Sequence, residues 1–65
     1  MKKTKLTSIK ILEGLYRDFK INVVNSSMSL QKLTNRSIFL YLHDSSFREK
    51  LDIEDALSTI SGSRF

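Results

Sequence analysis

A single change of hydrophobic period constrains this chain most. Thr7, Ile9 and Ile11 alternate with Ser8 and Lys10, a period of two; after Leu12 the apolar spacing turns helical through Glu13–Asn25 and Leu30–Leu42. The first stretch reads as a short strand, about Leu6–Ile11, and the other two as helices. A lone strand has no ladder for its backbone N–H and C=O groups, so one strand and two helices cannot close a core alone. A second copy pairing its own strand would solve the problem.

Within the strand, β-branched Thr7, Ile9 and Ile11 would face the core, and Leu6, Ser8 and Lys10 would occupy the other face. The first helix is expected from Glu13 to about Val24, with Leu15, Tyr16, Phe19 and Val23 as its buried stripe. Ile21 falls outside that stripe. Asn25, Ser26 and Ser27 break the pattern, and Ser29 has the chemistry of an N-cap for a second helix from Leu30 to about His43. That helix carries apolar or small residues over more than half its circumference. A helix packed on one neighbour needs a narrower stripe. The surplus is explained by a second subunit, which would place Ile9, Ile11, Leu15, Phe19, Leu33, Ile38 and Tyr41 in a dimer core.

Composition bears on the partner. Sixty-five residues without cysteine lie near the lower limit for a self-sufficient core, and no disulfide or thiolate metal site can compensate. The net charge is +4, but residues 1–43 carry eight Lys or Arg against two acids, and residues 44–65 carry three against five. A basic body suits a polyanion, and an acidic tail suits a different task. Three units are therefore expected: a flexible basic arm over 1–5, a DNA-binding and dimerisation domain over 6–43, and an acidic tail over 44–65. In the tail, Ser46 and Glu49 have capping-box spacing, and Ile53, Ala56, Leu57 and Ile60 share one face of a marginal helix. The longest apolar run, Ile38–Leu42, is too short for a bilayer, and Lys5, Ser8 and Lys10 interrupt any leader-like segment. The expected location is the cytoplasm, with no membrane partner.

In the order strand, helix, polar turn, helix, the chain resembles the ribbon-helix-helix (Arc/MetJ/CopG-type) DNA-binding proteins. Thr7-Ser8-Ile9-Lys10-Ile11, Glu13-Gly14-Leu15-Tyr16, Ser27-Met28-Ser29-Leu30 and Leu33, Ser37-Ile38, Tyr41-Leu42 carry the resemblance. Leu12, Ser27 and Leu6 depart from it, standing where proline, glycine and a polar residue are common. The resemblance implies a mostly α fold with one short strand: an intertwined homodimer joined by an intersubunit two-stranded antiparallel β-ribbon. Such a ribbon fits the DNA major groove. Leu6, Ser8 and Lys10 would then contact bases, while Lys2, Lys3, Lys5 and the helix start at Met28, Ser29 and Leu30 would contact phosphates.

The implied function is that of a small homodimeric repressor that reads double-stranded DNA, of the kind carried by mobile elements. Two alternatives keep the DNA-binding part. In one, an antitoxin, residues 44–65 fold onto a toxin; in the other, a plasmid partition or conjugation accessory protein, binding serves assembly. Exposed Phe39 and Ile21 would be covered by a tail helix folding back, by a dimer–dimer contact on adjacent sites or by a protein partner, and the sequence does not choose among these. No nucleophile–base pair, glycine-rich phosphate loop or metal cluster is present in the sequence, and His43 has no second ligand at coordinating distance along the chain. Neither catalysis nor a cofactor is expected.

Overall fold

The computed structural model describes residues 3–57. Three helices follow one another: α1, Glu13–Asn22; α2, Leu30–His43; and α3, Ser45–Asp52. Residues 3–12 precede them without regular secondary structure.

The expected strand is absent, and with it the ribbon-helix-helix fold. Among the described residues there is no strand or sheet, and residues 6–11 enter no backbone ladder. The alternation of Thr7, Ile9 and Ile11 is real, but alternation gives a strand only when a neighbouring strand accepts its hydrogen bonds. A single chain offers none, so the segment leaves its backbone to water. The architecture of this chain is three helices with a non-helical N-terminal arm, not a mostly α fold with an intersubunit β-ribbon.

The helices start and stop for local reasons. Leu12 precedes α1 and supplies no side-chain cap; its carbonyl accepts from Tyr16 N at 2.9 Å. The helix ends two residues earlier than its apolar spacing suggests. Val23 N donates to Phe19 O, and the chain turns at Ser26, whose hydroxyl donates to Val23 O and accepts from Met28 N. A hydroxyl thus closes the turn. Ser29 caps α2 as expected, its Oγ accepting from Lys32 N at 3.1 Å.

One residue joins α2 to α3. Asp44 N donates to Leu40 O at 2.7 Å, ending α2, while Asp44 Oδ1 accepts from Ser46 N and Phe47 N, starting α3. The tail helix therefore begins earlier than the Ser46–Glu49 spacing suggests, and its cap is an aspartate. Residues 53–57 are not helical, and the rest of the helix expected to reach Ile60 lies outside the described residues.

Packing is sparse. Contacts between helices join α2 to α3, while α1 packs on neither. Tyr41 Oη donates to Asp52 Oδ1 at 2.7 Å, Arg48 Nε donates to Tyr41 O at 2.8 Å, and the Arg48 guanidinium lies 5.0 Å from the centre of the Tyr41 ring. None of the described residues is buried. The chain exposes 6378 Å², half as much again as the roughly 4,200 Å² expected of a compact protein of this mass. Its radius of gyration is 13.5 Å, against about 11 Å for a globule of 65 residues.

Candidate nucleic-acid interface

The basic arm and the first half of α2 lie side by side. Lys3, Thr4, Lys5, Leu6, Thr7 and Ile9 form one wall of an open groove of about 730 Å³. Leu30, Gln31, Thr34, Asn35 and Ile38 of α2 form the other. The groove brings together residues expected in different roles: Lys3, Lys5 and Leu30 for phosphate, Leu6 for bases, Ile9 and Ile38 for the dimer core. Ser8 and Lys10 stand outside its walls, both exposed.

The arm is cationic without compensation. Residues 3–12 contain Lys3, Lys5 and Lys10 and no acid, and among the described residues these lysines make no hydrogen bond or ion pair. Leu6 is fully exposed. Lys2 lies outside the described residues.

The turn before α2 has a defined shape. Ser29 is exposed while its hydroxyl caps the helix, and Met28 and Leu30 are half-buried on either side. Lys32 reaches back along the turn, its Nζ donating to Ser27 O at 2.8 Å. This contact holds a positive charge at the same end of α2 where the helix dipole is positive. Its sequence signal was weak, because a lysine in a first helical turn usually faces solvent.

The expected dimer core is partly covered and partly bare. Ile11, Phe19 and Tyr41 are half-buried; Ile9, Leu15, Leu33 and Ile38 are exposed, Ile9 at 63% and Ile38 at 57%. Within the chain, α2 uses the stripe Leu30, Thr34, Ser37 and Tyr41. Leu33 and Leu40 stand on one flank of that stripe, and Ile38 and Leu42 on the other. The broad face of α2 is therefore split, and its own chain covers the less apolar part.

A perturbed titratable group lies at the other end of α2. The hydrogen bond to Asp52, then that carboxylate's negative charge and partial burial, hold the Tyr41 phenol above its usual range, and Arg48 opposes them. Among the described residues no group of His, Cys, Asp and Glu is placed to hold a metal ion, and no helix is long and apolar enough to cross a membrane. In comparisons with protein-family models, curated proteins and solved structures, nothing matches this chain.

Proposed function

We propose that this chain is a sequence-specific double-stranded DNA-binding protein that works as a small homodimeric transcriptional repressor. The observation that carries the reading is the exposed arm, whose Lys3, Lys5 and Lys10 make no hydrogen bond or ion pair among the described residues and whose Leu6 is fully exposed. With no ribbon, the arm itself enters a groove. Lys10 can donate to guanine O6 or N7, Ser8 can donate or accept, and Leu6 can pack on a thymine methyl. Lys3 and Lys5 neutralise phosphates, and at the capped start of α2 the Ser29 and Leu30 backbone N–H groups can take another, beside Met28, whose own N–H is held by Ser26.

Dimer formation follows from the surface that one chain leaves bare. The surplus over a compact monomer is about 2,000 Å² per chain, on the scale that obligate homodimers bury. Exposed Leu15, Leu33 and Ile38 are the residues to be covered. The antitoxin alternative places the partner on residues 44–65; residues 45–52 are helical with no buried residue, an exposed surface that still leaves room for it. No observation favours the partition or conjugation alternative.

The test is binding to sites selected from genomic fragments, followed by salt titration. A Ser8→Ala, Lys10→Ala double variant should lose about 1–3 kcal/mol of discrimination between the selected site and a scrambled duplex. Lys3→Ala or Lys5→Ala should weaken both duplexes alike and reduce the salt slope by about 2 each, one phosphate contact being lost from each copy. If the double variant discriminates as well as the parent, the arm is not the reader.

A further inference from the structure

A second surface on α2 includes no residue of the arm, though it shares Asn35 with the groove beside it. Counting about 100° per residue, Phe39 lies roughly 160° from Tyr41, so the helix face around Phe39 points away from α3. Lys32, Arg36 and His43 share this face, and α2 contains no acid. Phe39 is 61% exposed and its ring stacks on His43 at 4.5 Å between centres. Between Asn35, Arg36, Phe39 and Leu40 lies an open depression of about 350 Å³.

Its complement is on α3. Ile53, at the C-terminal end of α3, is 70% exposed. Glu49 lies one helical turn before it on the same flank, its carbonyl accepting from Ile53 N, and Glu54 follows. Lys50 is the one cation beside them. The chain thus carries an apolar knob flanked by acids and an apolar depression flanked by bases. The two cannot meet within one chain, because Tyr41, Asp52 and Arg48 hold α3 to the opposite side of α2.

We propose that this pair is a head-to-tail interface between copies of this chain, with Ile53 of one copy seated in the Asn35–Leu40 depression of the next and Glu49 facing Arg36. Different patches meet, so the contact is heterologous and does not close on two copies; it builds a row or a ring. The contact involves neither the DNA-reading arm nor Leu15, Leu33 and Ile38, so it is independent of the reading above. A second copy is favoured over an unrelated partner because apolar and charged features match on both sides.

Sedimentation velocity of the full chain over a range of concentrations and salt tests this. The mass should rise with concentration beyond the smallest species, whether that species is one chain or two, and the rise should be suppressed by salt. Arg36→Glu places like charges together and should raise the concentration needed for growth about tenfold or more. Adding Glu49→Arg to it should restore growth, which loss of folding could not mimic; circular dichroism of each variant checks helicity. A mass independent of concentration in the parent overturns the interface, whatever the smallest species proves to be. Equal growth of parent and Arg36→Glu, or no restoration in the double variant, overturns it as well.

Discussion

At the residue scale, Tyr41 ties α2 to α3. Its phenol binds Asp52 and its carbonyl binds Arg48, so one residue of α2 engages the middle and the C-terminal end of α3. The raised phenol pKa has a consequence for stability. A group that holds its proton more tightly when folded contributes stability that is complete below its unfolded pKa, about 10 for tyrosine. That contribution is lost as the pH rises through the folded value, when tyrosinate would face the Asp52 carboxylate. The attachment of α3 should therefore fail in strongly alkaline solution and be insensitive near neutrality. In Asp52→Ala the tyrosinate absorbance of Tyr41 should develop at lower pH than in the parent; superimposable titrations would show that Asp52 does not hold the proton. Neither partner was legible in the sequence, since contacts eleven and seven residues apart leave no periodic trace.

At the element scale, the helices themselves were legible, and their ends less so. The spacing of Leu15, Tyr16, Phe19 and Val23 marked α1, and Ser29 marked the start of α2, because both signals act within a few residues. The α2–α3 junction was misread. Ser46 and Glu49 have capping-box spacing, but Asp44 lies closer to the end of α2 and caps α3 first. Its carboxylate accepts two orphan N–H groups and also faces the positive helix end. Asp44→Ala should cost about 1 kcal/mol, within the 0.5–2 kcal/mol range for lost caps, and the loss should fall on α3. Amide exchange resolved by residue is the measurement: protection should drop in residues 46–53 and persist in residues 33–42. Equal loss in both helices would mean that α2 and α3 melt as one unit.

For the whole molecule, the dominant fact is that no described residue is buried. An isolated helix shorter than about 12–15 residues is marginal in water, and α1 has ten residues with no packing on α2 or α3. Such a helix persists only if something covers Leu15 and Phe19. If that cover is a second copy, helicity should depend on protein concentration, because dissociation and unfolding are then linked. Ile38→Asp, which puts a charge on the bare flank of α2, should lower the mass in solution to that of the 7.5 kDa chain and reduce helical circular dichroism together. A variant that keeps both the parent's mass and its helicity would place the dimer face elsewhere.

Local chemistry was enough to set the helices, the N-cap at Ser29, the uneven charge and the basic character of residues 3–12, since each depends on neighbours along the chain. The state of residues 6–11 was not a local matter. Alternating Thr7, Ile9 and Ile11 can form a strand or an unpaired arm, and the outcome depends on whether another backbone comes within hydrogen-bonding distance. The three-dimensional arrangement answers that for one chain: no partner strand is among the described residues, so the segment is an arm lying beside α2. It likewise decides which part of the wide α2 face is covered and that Tyr41 secures α3. Those outcomes rest on contacts between distant residues, which a hydrophobic period does not encode.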